Sequence, residues 1–115
     1  MALIYKIVPK GEWQKAEEQG VFRGAAVDLD DGFIHFSTAE QVGETANKHF
    51  SGQTDLLLVA VDEDALDKDK FRYEISRGGA LFPHLYDKLS LECVVGICPL
   101  VADKQGIFHF DEVAL

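Results

Sequence analysis

The sequence predicts an α+β fold in one compact domain that spans residues 1–115. Two observations lead to this prediction. The first is the length of 115 residues, which suits one domain that buries about two thirds of the surface of its unfolded chain. The second is the order of the local patterns: strand, helix, strand and helix come first, and several strands with short connections follow. Such an order is typical of α+β folds, here with mixed or antiparallel strands and two main helices.

The composition argues against nucleic acid polymers and membranes as partners. The net charge is −9, which repels polyanions and anionic membranes unless a strong basic patch overrides it. The chain has only three arginines, Arg23, Arg72 and Arg77. No apolar run approaches the ~20 residues of a membrane span, and the first residues lack the pattern of a signal peptide. We therefore expect a cytoplasmic protein.

The first third of the chain predicts a strand, a helix and a turn. Residues 3–8 are mostly apolar and β-rich, and residues 12–19 place Trp13 and Ala16 three positions apart, with Gly20 just past the helix end. Residues 28–32 have turn chemistry. Their aspartates lack the ligand spacing of a calcium-binding EF-hand loop, so they are interpreted as a solvated turn.

The stretch Asp31–Thr38 carries a histidine on an apolar strand that leads into a helix. In an extended strand Phe33, His35 and Ser37 point to one side. Ser37 and Glu40 have the spacing of a capping box, in which Ser37 caps the helix. The main helix is accordingly expected over residues 38–50, with apolar residues on one stripe.

The second half of the chain predicts a series of strands. Residues 56–61 are continuously apolar, as in a central strand covered on both faces. Residues 71–75 alternate, residues 76–80 form a flexible connection, and further strands are expected at 82–86, 91–100 and 107–110. Cys93 and Cys98 are an odd number of residues apart, so in a strand they face opposite sides and form no local disulfide. We expect two buried thiols in a reducing compartment.

Four groups of residues are candidates for a ligand site. They are His35 with Ser37 and Thr38, Arg72 with Glu74, Arg77 with Gly78 and Gly79, and His84, which shares a strand face with Phe82 and Tyr86. Polar groups in apolar settings are typical of a pocket wall, and an arginine beside two glycines lets guanidinium and backbone N–H groups approach a phosphate. Each group also has a structural explanation: a half-buried histidine, a surface ion pair, a turn, or packing residues with polar tips.

Two other kinds of site are disfavoured by the spacing of residues. No Gly-x-Ser-x-Gly motif is present, which argues against a serine hydrolase. The four histidines lack the His-x-x-x-His or Cys-x-x-Cys pairing of zinc sites, so no metal is expected.

Several motifs in this order resemble a bacterial family, the domain of unknown function 952. They are Asp31-Gly-Phe-Ile-His-Phe-Ser-Thr38, Gln41, Arg72-Tyr-Glu74 and Phe82-Pro-His-Leu-Tyr86. The resemblance implies an ADP-ribosyltransferase-like fold, whose members bind NAD in the cleft of a split sheet. It also implies that His35 contacts the ribose, that Tyr86 or Tyr73 stacks on nicotinamide, and that Glu74 or Glu112 supplies a carboxylate.

The expected function follows from this resemblance. We expect binding of a small nucleotide, NAD or an ADP-ribose-like ligand, with ADP-ribosyl transfer or NAD glycohydrolysis as the activity and NAD as substrate; no protein acceptor is identified. Catalytic roles fall to His35 and Glu74. The expected binding residues are His35, Ser37, Thr38, Arg72, Arg77, Gly78, Gly79, Phe82, His84 and Tyr86. The alternative is a catalytically inactive small-ligand or protein-binding module on the same scaffold.

Overall fold

The computed structural model of the chain describes residues 2–110, apart from the side chain of Arg77. Within this range the chain forms three α-helices and eight strands. The helices are α1 (Lys10–Gln19), α2 (Ala26–Asp31) and α3 (Val42–His49). The strands are β1 (Leu3–Pro9), β2 (Val21–Phe22), β3 (Ile34–His35), β4 (Leu56–Asp62), β5 (Phe71–Ile75), β6 (Leu81–Leu85), β7 (Leu89–Ser90) and β8 (Val94–Leu100).

The strands form three antiparallel sheets. One has the order β1-β4-β8, a second has the order β3-β6-β5, and β2 pairs with β7. The two three-stranded sheets meet where Tyr5 of β1 exchanges two backbone hydrogen bonds of 2.8 Å with Ser37, just after β3. The described residues therefore confirm a compact α+β fold with antiparallel strands.

Strand β4 is the centre of the first sheet and is covered on both faces, as its continuous apolar run predicts. Val59 and Val61 pack into one core cluster, together with Trp13 of α1. Leu58 packs into the other, together with Ala46 of α3. Side chains alternate between the faces of a strand, so one strand supplies both clusters.

The helices differ from the prediction in number and in length. Helix α1 buries Trp13 and Ala16 as expected and ends at Gly20, whose φ of 79° is readily adopted by glycine. The predicted turn at residues 28–32 is wrong, because residues 26–31 form α2. The predicted start of the main helix is also wrong: α3 begins at Val42, and Gln41 Oε1 accepts a hydrogen bond from the backbone N–H of Thr38.

Fewer residues near the end of the described chain form strands than the sequence predicts. The segment predicted as a strand at 91–100 begins with a 3₁₀ turn, Leu91–Cys93, before β8. In place of a strand at 107–110, Phe108 makes an isolated bridge with Ala102. Both cysteines are free, as expected, but they are half-buried. No helix in the described part of the chain is long and apolar enough to cross a membrane.

Candidate functional site

Two predicted site histidines lie next to each other because of the register of β3, β6 and β5. His35 is directly opposite His84, and His84 is directly opposite Arg72. Residues opposite each other in an antiparallel pair point to the same face. The two imidazole rings are therefore neighbours, with centroids 5.4 Å apart in an edge-on arrangement.

A cleft of about 460 Å³ lies beside these two rings. This volume is in the range of small-molecule sites, which are mostly apolar with a few polar groups. The lining residues are Tyr5, Lys6, Ile7, Val27, His35, Phe36, Ser37, Thr45, His49, Phe50, Ser76, Phe82 and His84. The cleft thus brings together four predicted site residues, His35, Ser37, Phe82 and His84.

A buried carboxylate, Asp28, holds His35 in place. Its Oδ1 accepts hydrogen bonds from His35 Nδ1 at 2.7 Å, from the His35 backbone N–H at 3.1 Å and from Lys6 Nζ at 2.9 Å. Its Oδ2 accepts from the backbone N–H of Ala25 at 2.7 Å. Burial opposes ionisation, but these hydrogen bonds and the charge of Lys6 outweigh it and lower the pKa of Asp28 to about 2. Asp28 is therefore an ionised, fully bonded group.

Helix α2 brings Asp28 to this position, and Gly24 leaves room for it. A Cβ atom on Gly24 would lie 2.8 Å from the Cβ of Asp28, and the φ of Gly24 is 118°. A larger residue would therefore both clash and strain the backbone. The interpretation of Asp28 as part of a solvated turn is wrong, since its side chain is only 1% exposed.

Lys6 is a buried cation on the wall of the cleft. Its side chain is 8% exposed and its Nζ contacts Asp28. Burial lowers the pKa of Lys6, and the neighbouring carboxylate of Asp28 partly opposes this change. An ammonium group has three N–H donors, and Asp28 is its one hydrogen-bond acceptor within the described residues.

His84 is held by a second carboxylate, Glu74. His84 Nδ1 lies 2.9 Å from Glu74 Oε1, which also accepts a hydrogen bond from the hydroxyl of Tyr86 at 2.5 Å. These bonds from Tyr86 and His84 lower the pKa of Glu74. The ring of His84 is buried, and its Nε2 has no hydrogen-bond partner among the described residues.

Phe33 joins the two histidines and Tyr86 into one aromatic cluster. Its ring is stacked on His84 at a centroid distance of 4.1 Å and lies 4.5 Å from His35 and 5.0 Å from Tyr86. Strand alternation predicts that Phe33 and His35 share a face, and the contact between their rings is consistent with this prediction. Tyr86 itself borders a second depression of about 230 Å³.

Of the two predicted site residues Ser37 and Thr38, only Ser37 lines the cleft. Ser37 does not cap a helix: its Oγ lies 3.1 Å from Thr45 Oγ1, and both residues line the cleft. Thr38 lies outside the lining. Its backbone N–H donates a hydrogen bond to Gln41 Oε1, and its carbonyl accepts hydrogen bonds from the backbone N–H groups of Gln41 and Val42 at the start of α3.

Arg72, Gly78 and Gly79, which are predicted to bind the ligand, are not among the described residues that line the cleft. Arg72 is exposed on β5, and Gly78 and Gly79 form an exposed turn with φ of 64° and 79°. The backbone of Arg77 belongs to the same 3₁₀ turn. Tyr73 points to the opposite face of β5, where its hydroxyl bonds Glu63. Glu112 is outside the described residues.

Sequence reasoning missed three charged groups near His35: Asp28, its partner Lys6, and Asp31, whose Oδ2 lies 2.9 Å from His35 Nε2. Lys6 had a signal, because it is a lysine in the middle of an otherwise apolar strand, where a charge is rare unless paired. Asp28 and Asp31 had no such signal, since they resemble turn residues. Within the described part of the chain, no three histidine, cysteine or acidic side chains are grouped so as to hold a metal.

The sequence matches the family described as "Protein of unknown function (DUF952)" over residues 7–97. The chain belongs to this family. It is also similar to protein CC0527 from Caulobacter crescentus, with 48% identity over 93% of each chain and a TM-score of 0.88 to the crystal structure.

Two further solved structures of CC0527 agree with this match. A double mutant is 47% identical over 93% of each chain with a TM-score of 0.88. The solution NMR structure is 50% identical over 93% of this chain and 91% of that chain, with a TM-score of 0.83. A search of curated proteins found no match. None of the matching descriptions names a ligand or a reaction.

Proposed function

We propose that the cleft of this DUF952 domain binds a small nucleotide ligand of the NAD or ADP-ribose class. One observation carries the proposal: His84 Nε2, a buried nitrogen with no partner in the described structure, belongs to a residue that lines a cleft of about 460 Å³. Leaving a buried polar atom unpaired costs about 1–3 kcal/mol. A ligand that bonds this nitrogen would remove that cost, and because the atom itself is buried, the His84 ring must turn towards the cleft for the bond to form.

The other walls of the cleft suit the parts of a nucleotide. Phe36, Phe50 and Phe82 supply apolar and aromatic surface for a base or a nicotinamide ring. Lys6 and His35 supply donors for phosphate or ribose oxygens. The family resemblance implies an ADP-ribosyltransferase-like fold, and this implication favours NAD and ADP-ribose over other nucleotides.

The carboxylates favour binding over bond cleavage. Breaking the nicotinamide–ribose bond passes through an oxocarbenium-like transition state that a carboxylate near the ribose stabilises. Asp28 already accepts four hydrogen bonds. Glu74 is outside the lining and is bonded to His84 and Tyr86. A binding module without ADP-ribosyl transfer or NAD glycohydrolysis is therefore the function that this geometry supports best.

Thermal unfolding with NAD or ADP-ribose tests the proposal. A ligand at one hundred times its Kd stabilises the folded state by about 2.7 kcal/mol, which raises Tm by roughly 10 °C in a domain of this size. His84→Ala should weaken binding about tenfold, since one hydrogen bond is lost. The matched control is His109→Ala, which removes a histidine whose side chain is 57% exposed.

Two results would reject the proposal: no rise in Tm at millimolar ligand, or equal binding by both histidine variants. Measuring the nicotinamide released during incubation with NAD distinguishes a binding module from an enzyme. Binding without release supports the module, whereas release that Glu74→Gln abolishes would make the protein an enzyme.

A further inference from the structure

His35 lies between two carboxylates. Its Nδ1 is 2.7 Å from Asp28 Oδ1, and its Nε2 is 2.9 Å from Asp31 Oδ2. Ionised carboxylates only accept hydrogen bonds, so each ring nitrogen of His35 faces a hydrogen-bond acceptor. His35 Nε2 is therefore placed to donate a hydrogen bond to an anionic oxygen.

The two carboxylates are held very differently. Asp28 is buried, with Lys6 and the backbone N–H groups of Ala25 and His35 as further partners. Asp31 has a side chain that is 48% exposed, and the contact with His35 is its one side-chain bond among the described residues. Asp31 is also the last residue of α2, where the helix dipole disfavours a negative charge. Asp31 is therefore replaceable, and Asp28 is not.

We propose that His35 Nε2 is an anion subsite of the cleft, and that a phosphate oxygen of the ligand takes the place of the Asp31 carboxylate there. The inference rests on the proposed function of the cleft as a ligand site. It adds that the phosphate group is the part of the ligand that contacts His35. A phosphate oxygen provides the same acceptor and the same sign of charge as the carboxylate.

Other hydrogen-bond donors line the same cleft as His35. Lys6 Nζ bonds one described acceptor, Asp28, and so has N–H groups left for a ligand. Ser37 and Thr45 bring two hydroxyl groups to the same cleft.

Asp31→Ala tests this inference, with Asp30→Ala as the matched control. Both substitutions remove one negative charge from α2, but Asp30 is exposed and makes no hydrogen bond or ion pair with His35 within the described structure. The probe is inorganic phosphate, with ADP-ribose in a parallel titration. In the wild type the Asp31 carboxylate competes with phosphate for His35 Nε2. Its contact is about as strong as an exposed ion pair, so its removal should tighten phosphate binding about fivefold. Asp30→Ala should change it less than about twofold, because it alters only the screened long-range field.

A second measurement follows the imidazole itself. In protein labelled with ¹⁵N-histidine, phosphate should move the Nε2 signal of His35 more in Asp31→Ala than in Asp30→Ala. Equal affinities of the two variants for phosphate, or weaker binding by Asp31→Ala, would overturn the inference.

The outcomes also separate the inference from the proposed function. If ADP-ribose binds and Asp31→Ala gives no gain, the subsite is rejected and nucleotide binding stands. If phosphate binding tightens in Asp31→Ala while NAD and ADP-ribose fail to bind any variant, the subsite stands and the nucleotide proposal is rejected.

Discussion

Asp28→Asn is predicted to destabilise the protein strongly. The substitution removes the negative charge 2.9 Å from Lys6 Nζ, whose side chain is only 8% exposed. Removing one partner of a buried ion pair leaves the other charge buried and unpaired, which costs about 3–5 kcal/mol. The free energy of unfolding near neutral pH should fall by about this amount.

The same carboxylate predicts a dependence of stability on pH. The pKa of Asp28 is lowered from 3.8 to about 2. Ionised Asp28 therefore stabilises the folded state above pH 3.8, and this stabilisation is lost as the pH falls from 3.8 to about 2. The difference corresponds to about 2.5 kcal/mol. The stability gap between the wild type and Asp28→Asn should narrow across this range.

Urea unfolding at several pH values measures both effects. The control is Asp30→Asn, an exposed carboxylate on the same helix, which should change the free energy of unfolding by no more than about 0.5 kcal/mol. A loss below about 1 kcal/mol for Asp28→Asn would show that Lys6 needs no buried counter-charge. A gap that stays constant as the pH falls below 3.8 would refute the ionised, fully bonded state of Asp28.

Two further substitutions test the neighbourhood of the histidines. Tyr86→Phe removes a hydrogen bond from Glu74 and should raise the pKa of Glu74, measured by ¹³C NMR titration of the carboxyl carbon; an unchanged pKa would contradict this contact. Gly24→Ala places a Cβ 2.8 Å from that of Asp28 at a φ of 118° and should cost about 1–3 kcal/mol of stability. The control is Gly11→Ala on α1, where a Cβ meets open space and alanine should stabilise the protein by about 0.5–1 kcal/mol. If Gly24→Ala and Gly11→Ala changed thermal unfolding equally, the close approach of Gly24 to Asp28 would be contradicted.

The sequence predicted those elements that local patterns define. The continuous apolar run of β4 and the alternation in β5 were sufficient to place these two strands, and the strand expected at residues 82–86 puts Phe82 and His84 on one face. The neighbourhood of His35 and His84 also depends on the register between β3 and β6. That register joins residues far apart in the chain, so no local pattern determines it.

The buried charges could not be predicted from local patterns. Helix α2 has six residues, which is too short for a periodic signal. The burial of Asp28 depends on Lys6, 22 residues away. Ser37 has the spacing of a capping box, but its backbone pairs with Tyr5 and its hydroxyl meets Thr45. Tertiary contacts therefore overrode a valid local preference.

The most direct test of the central proposal is an NMR titration of the ¹⁵N-labelled protein with ADP-ribose. The account predicts saturable shifts of the amide signals of lining residues, above all Lys6, His35, Ser37 and His84. Signals on the far strand β8, such as Val95 and Ile97, should stay in place. No saturable shift at millimolar ligand, or shifts confined to residues outside the cleft, would contradict it.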